Sequence, residues 1–262
     1  SQMEIYDGNQ WTGILATSGE QQTGGVRGFF AGGNSTNIEF ITVDTTGNAI
    51  DFGDLTSTMW INKCSASRVR GLVHGERPST TNIDFITIAQ KGNAQDFGDL
   101  TSAREDCAGV CNGTRAIFCG GGETNTIDYV TIAQTGNAVD FGDLYQANNH
   151  GASAESKTRG IIANGYKGPS PGVLNVIQYI TMSTLGNSAD FGDSANGGYG
   201  ASGCGNAVTM VYNSGHGPSG HTTKMNTLTI PTLGNSVFFG DLSRNFYGPG
   251  TASSKIRGVF AG

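Results

Sequence analysis

Charge is scarce in this sequence. Only 14% of its 262 residues are Asp, Glu, Lys or Arg, where about 25% is usual. Fifteen basic residues stand against 21 acidic ones, a formal net charge of −6. No excess of Lys and Arg exists to displace counterions from a phosphate backbone, so nucleic acid is not expected as a partner. Long apolar runs are also lacking. None approaches the ~20 residues that cross a bilayer as a helix, so membrane insertion is not expected. Few windows carry the 3.6-residue period of a helix. Ser1-Gln2-Met3-Glu4 is neither basic nor followed by an apolar stretch. That is no secretory leader, but a processed chain would look the same, so export stays open.

Cysteine is sparse and odd in number: Cys64, Cys107, Cys111, Cys119 and Cys204. Five cysteines preclude a complete intramolecular framework. Cys107 and Cys119 are placed to face each other across a hairpin turning near Asn112-Gly113, either as a disulfide or as small buried hydrophobes. No CxxC pair or Cys/His spacing suggests zinc, and no metal or cofactor is expected.

What the chain has is glycine, 42 residues, or about 16% against roughly 7% in ordinary proteins. It also has a repeat. Asp51-Phe52-Gly53-Asp54-Leu55 returns at Asp96–Leu100 and Asp140–Leu144, then as Asp190-Phe191-Gly192-Asp193-Ser194 and Phe238-Phe239-Gly240-Asp241-Leu242. The copies lie 45, 44, 50 and 48 residues apart. A Gly-Asn pair precedes each one: Gly47-Asn48, Gly92-Asn93, Gly136-Asn137, Gly186-Asn187 and Gly234-Asn235. Upstream lies an alternating β-rich segment such as Ile127-Asp128-Tyr129-Val130-Thr131-Ile132.

Each unit reads as four strands. In the third repeat they run through Asp106–Cys111, Ala116–Gly121, Thr126–Ile132 and Ala138–Leu144. The Gly-Asn pair is expected to supply the positive φ of a tight hairpin between strands three and four. Four-stranded units at a period of about 44 residues are the signature of propeller blades. The fold class expected is all-β: one β-propeller domain over residues 1–262. Its repeats fall at about 19–60, 61–104, 105–148, 149–198 and 199–246, with 247–262 joined to 1–18. This arrangement has six blades, the last sharing strands from both termini, because Met3-Glu4-Ile5-Tyr6-Asp7-Gly8-Asn9-Gln10-Trp11 also holds a Gly-Asn pair after a β-like segment. Five blades plus an N-terminal arm is the alternative.

The repeat resembles the kelch motif. Gly120-Gly121 and Tyr129 match that family's double glycine and following tyrosine, and Ala94, Phe97, Leu100 and Arg104 fall at the spacing of its Trp, apolar pair and Arg. Ala94 and Ala138 depart from the pattern where Trp stands; Trp11 alone restores it. The phrase from Ile127 to Leu144, "IDYVTIAQTGNAVDFGDL", is similar to a repeat of virion structural and tail-fibre proteins of marine tailed phages, cyanophages included. That resemblance implies a particle component, an adhesin or a decoration, located in the virion or extracellularly. It implies host surface glycan or other virion proteins as partners, with oligomers formed through virion assembly.

Asp-Phe-Gly also marks kinases, but a kinase has one such site and this triplet recurs once per blade. The Phe is expected to be an apolar plug between blades. The second Asp (Asp54, Asp99, Asp143, Asp193, Asp241) is expected to accept backbone N–H bonds at the strand exit. Calcium is the alternative for these carboxylates, though they are spread a blade apart rather than clustered. Glu39, Asp84, Asp128, Gln178 and Asn226 recur once per third strand and read as supports of the ladder. No Ser/His/Asp order or carboxylate pair stands out, so no enzyme is expected. A propeller hydrolase is the remaining enzymatic alternative.

The repeats differ in their loops. The connections from strand two to three and from strand four to the next blade share one face, where loops on a rigid scaffold bind ligands. The residues expected to contact a ligand there are Trp60, Arg104, Tyr145, Tyr166, Tyr199, His216, His221, Arg244 and Tyr247. Aromatic rings suit the C–H faces of sugars, and neighbouring Asn, Asp and Arg suit their hydroxyls. A carbohydrate-binding, non-enzymatic module is therefore the functional expectation, with a purely structural virion attachment role as the alternative.

Overall fold

The computed structural model describes residues 3–6, 11–14, 27–59, 63–74, 79–169 and 172–262. Every regular element among them is a β-strand. The cause is local: Thr, Ile, Val, Phe and Tyr alternate across the strands, and Gly and Asn interrupt any window long enough for a helix.

A short antiparallel hairpin comes first, β1 (Met3–Tyr6) and β2 (Trp11–Ile14). The first blade follows with three described strands, β3 (Arg27–Ala31), β4 (Ser35–Thr42) and β5 (Ile50–Met59). The second blade holds β6 (Lys63–Ala66), β7 (Arg70–His74), β8 (Thr80–Thr87) and β9 (Gln95–Arg104). The third holds β10 (Ala108–Cys111), β11 (Arg115–Cys119), β12 (Thr126–Thr131) and β13 (Val139–Asp143). The fourth holds β14 (Ala152–Glu155), β15 (Arg159–Tyr166), β16 (Val173–Thr181) and β17 (Ala189–Asp193). The fifth contains β18 (Gly203–Gly205) and β19 (Thr209–Asn213), a small ribbon of β20 (His216–Gly217) and β21 (Gly220–His221), then β22 (Lys224–Thr229) and β23 (Val237–Asp241). A final hairpin pairs β24 (Gly250–Ser253) with β25 (Gly258–Ala261). Within each blade the strands follow chain order and are antiparallel, so the sheets form a β-propeller of five blades.

The sixth blade expected from the two termini does not form. Among the described residues, β1 pairs with β2 and β24 with β25, as separate two-stranded sheets. The physical reason is that no ladder joins the two hairpins: β24 and β25 pack against β3 and β18 instead. The C-terminal hairpin sits instead at the ring closure. Thr251 and Ser253 hydroxyls donate to the carbonyls of Gly203 and Gly205 in the fifth blade, at 2.8 and 2.9 Å. Arg257 donates to the carbonyl of Val43 in the first blade, at 3.1 Å.

The core lies between blades. Phe52 packs with Val73, Ile86 and Ala94 of the next sheet, Phe97 with Phe118, Val130 and Ala138, Phe141 with Ile162 and Ile180, and Phe191 with Tyr212 and Leu228. These four Phe side chains are 2–3% exposed. Each is the extra residue of a β-bulge, since the pairing slips by one at Ile38/Glu39, Ile83/Asp84, Ile127/Asp128 and Ile177/Gln178. A bulge re-aims a side chain, and here it turns the ring onto the neighbouring sheet. The plug expected at Phe239 is absent: that ring is 59% exposed.

The Gly-Asn pair does something other than make the tight turn. The turn comes earlier, where Gln90 N–H donates to Thr87 O and Gln134 N–H to Thr131 O. Gly-Asn then docks on the preceding blade. Gly92, Gly136, Gly186 and Gly234 donate to the carbonyls of Phe52, Phe97, Phe141 and Phe191 at 2.8–2.9 Å. Asn93, Asn137, Asn187 and Asn235 accept, at Oδ1, the backbone N–H of Asp54, Asp99, Asp143 and Asp193 at 2.9–3.1 Å. An added Cβ at Gly98, Gly142 or Gly192 would lie 2.5–2.7 Å from the docked glycine, so only glycine allows the approach. The second Asp carboxylates also differ from expectation. Asp54, Asp99 and Asp241 accept hydroxyl bonds from Thr36, Thr81 and Thr223 at 2.6–2.9 Å, and the backbone N–H groups of Asp54 and Asp99 go to Asn93 and Asn137.

An arginine latch adds to each junction. Arg27, Arg70, Arg115 and Arg159 stack 4.8–4.9 Å over Phe40, Phe85, Tyr129 and Tyr179 of their own blades. They donate to Ile88, Ile132, Met182 and Ile230 carbonyls of the next blade at 2.8–3.2 Å. Phe97→Ala, which empties one junction, is expected to lower unfolding free energy by about 3–5 kcal/mol in urea denaturation.

Candidate functional site

The varied loop face carries one cluster of rings, built from connections of separate blades. Tyr166 ends β15. Tyr199 lies between β17 and β18, His216 and His221 form the β20–β21 ribbon, and Tyr247 follows β23. Tyr199 is at the centre: its ring centroid lies 5.2 Å from Tyr166, 4.9 Å from His216 and 5.8 Å from Tyr247. His221 is 4.7 Å from His216 and 6.0 Å from Tyr247. Five of the nine residues expected from sequence are thus brought together. His221 is exposed and Tyr247 is 40% exposed, while Tyr166, Tyr199 and His216 are half-buried.

Backbone bonds hold the rings in place. Tyr199 and His216 exchange N–H···O bonds at 3.1 and 2.8 Å, and Tyr166 and Asn149 do the same at 3.1 and 2.8 Å. Gly165 N–H donates to Gly198 O, and Gly248 N–H to Gly200 O. Tyr247 lies on Gly200, where an added Cβ would meet its ring. Four connections are pinned from below by the polar residue of a third strand, while Glu39, the counterpart in the first blade, is exposed. Asp84 accepts from the amide and hydroxyl of Thr56, and Asp128 from those of Thr101. Gln178 bonds Gln146 through both its amide atoms, and Asn226 accepts from Asn196. Each bond ties a strand-four exit to the following blade.

The remaining expected site residues lie elsewhere. Arg104 is no ligand contact: it is 1% exposed and its Nη2 donates to Asp128 at 2.8 Å. An Arg that pins a carboxylate inside the sheet cannot also face solvent. Tyr145 is 68% exposed and makes no ring contact with the cluster. Arg244 stacks 4.8 Å over Phe246 and donates to the Gly262 carbonyl. Trp60 lies outside the described residues.

His150, which sequence reasoning passed over, joins the cluster. It lies 6.4 Å from Tyr199 and 5.9 Å from Tyr247, with its Nε2 3.2 Å from an Asp106 carboxylate oxygen. One signal was available. His150, at φ 56°, occupies the left-handed position that Gly200 and Gly248 hold in the next two repeats, directly after the residue equivalent to Tyr199 and Tyr247.

The cysteines are free thiols. Burial pushes Cys107 up to about 11, Cys111 to about 12 and Cys204 to about 11, and raises Cys119 as well. At neutral pH these four are protonated packing groups rather than nucleophiles. Among the described residues no group of three or more His, Cys, Asp or Glu side chains is placed to hold a metal ion.

The fold is a β-propeller, and ring-bearing loops gathered on one face of it are consistent with a binding module. No family model matches the chain, and no curated protein matches it either.

Glu155, at the end of β14 on the wall of the central cavity, has its carboxyl raised to about 7 by burial. The unfolded chain ionises it first, near pH 4.5, so its contribution is complete below that pH and is lost as pH rises to 7. Unfolding free energy is therefore expected to fall by roughly 2–3 kcal/mol between pH 4.5 and 7 from this group. Glu155→Gln should flatten that part of the stability–pH curve, measured by urea denaturation.

Proposed function

We propose that this protein is a non-enzymatic receptor-binding module of a virus particle, of the tail-fibre or adhesin kind, which recognises host surface carbohydrate through its loop face. The observation that carries this reading is the cluster of Tyr166, Tyr199, His216, His221 and Tyr247, drawn from the fourth and fifth blades and the connection that follows. Rings of this kind offer apolar faces to the C–H groups of a pyranose while their O–H and N–H groups remain available to its hydroxyls. Four of the five blade exits beneath are pinned by a third-strand polar residue, which lowers the ordering entropy that opposes binding. The likeness of the 127–144 phrase to virion repeats supplies the setting.

A structural attachment role, with other virion proteins as partners, is the second reading. The exposed Val237, Phe238 and Phe239 on the last strand of the fifth blade favour it.

The test is binding of labelled chain to a broad panel of microbial surface glycans. Saturable, sugar-competed binding is expected. Tyr247→Ala should weaken it about ten-fold or more with the melting temperature unchanged. A folded protein that binds no glycan but incorporates stoichiometrically into particles would replace the first reading by the second.

A further inference from the structure

Four junctions between blades share one set of contacts, and a fifth set of the same half-contacts is left open. On the fifth blade Phe239 is 59% exposed, where its four counterparts are 2–3% exposed. Gly240 has open space where a Cβ would stand, while Gly53, Gly98, Gly142 and Gly192 are each covered by a Gly-Asn segment. Gly240 also lacks the positive φ that those four share. Among the described residues, nothing donates to the Phe239 carbonyl or accepts from the Asp241 N–H in the way the other junctions do.

The facing surface on the first blade is open as well. Phe30, Ile41 and Ala49 stand where Val73, Ile86 and Ala94 cover Phe52. The latter three are buried; Phe30 and Ile41 are half-buried and Ala49 is exposed. Between the two surfaces, the inner part of the gap is filled by β24 and β25, which lie against β18 and β3. The outer edge of β25 pairs with no described strand. Among the described residues, the space left is bounded by an apolar face on each side and an unpaired strand edge at its inner end.

We propose that this gap is the docking site for a β-hairpin of the repeat's own kind, donated by a partner polypeptide. Its first strand adds to the edge of β25. Its Gly-Asn segment donates to the Phe239 carbonyl and accepts the Asp241 N–H, and its Asp-Phe-Gly-Asp strand lays the Phe against Phe30, Ile41 and Ala49. The occupant follows from continuity with the four formed junctions, where the same half-surface is filled each time by this chemistry. A whole blade of a second copy would bring inner strands into the space that β24 and β25 occupy. The β1–β2 hairpin forms a sheet of its own and, among the described residues, does not pair with β25. The site uses none of the ring cluster, so it and the glycan reading can fail separately.

The test uses a fluorescent synthetic peptide of residues 124–144, which holds strand three, the turn, Gly136-Asn137 and strand four of the third repeat, titrated against the full chain by anisotropy. Saturable one-to-one binding is expected, with slowed hydrogen exchange at the β25 amides. Phe239→Asp in the chain, or Asn137→Ala together with Gly136→Val in the peptide, should weaken it about ten-fold or more. Phe239→Asp should leave the melting temperature of the chain alone unchanged, because the ring is exposed. Absence of saturable binding, or binding indifferent to Phe239→Asp, overturns the proposal. So does a drop of several degrees in the melting temperature of Phe239→Asp alone, which would mean the face is already covered within the isolated chain.

Discussion

The docking of each Gly-Asn segment onto the preceding Asp-Phe-Gly-Asp strand is the contact on which the rest of this propeller depends. A four-stranded sheet of short strands has no core of its own; it gains one by facing its neighbours. The bulge aims the Phe ring outward from its sheet, burying it on the next. The glycine beside it leaves room for the neighbour's backbone, and the Asn amide oxygen takes the N–H exposed at the same point. Apolar burial and backbone hydrogen bonding are thereby satisfied in a single step, and neither can be had without the other. The arginine latch repeats the logic at the opposite end of the strands, stacked on one blade and bonded to the next.

Because four junctions are held at both ends, the loops above them inherit a rigid base. Asp84, Asp128, Gln178 and Asn226, inside the third strands, finish this work by holding the previous blade's exit. Tyr166, Tyr199, His216, His221 and Tyr247 are distant in sequence but meet in space because the connections that carry them leave the scaffold at fixed angles. Pairing of one connection to the next, as between Tyr199 and His216, continues the sheet hydrogen bonding a short way into the loops. A binding face of this kind can vary its side chains without disturbing the blades, since the junction contacts lie elsewhere.

Much of this was legible from the residues. The strand order, the four-stranded unit, the plug role of Phe52, Phe97, Phe141 and Phe191, and the face that gathers the aromatics all follow from periodicity and from where the repeats differ. Other roles were not. Gly-Asn reads as a hairpin turn because that is its commonest use, yet here the Asn partner lies 38 to 44 residues away. Arg104 reads as a loop cation because it sits at a strand end, yet it reaches back to Asp128, 24 residues along the chain. His150 gave little signal, because a ring at a left-handed position has no distinctive pattern. Blade number is not legible either: a period divides a length, but it does not show whether two terminal segments can pair.

Taken alone, the sequence determines the local chemistry, meaning which residues are strands, which are turns, which ring belongs on which face of a sheet, and that the unit repeats. Those follow from neighbours one to four residues apart, whose steric preferences are the same in any fold. Tertiary structure decides what each repeated residue is for. Phe141 and Phe239 stand in nearly the same phrase, and one is a buried plug while the other is exposed, because only one of them has a following blade to cover it.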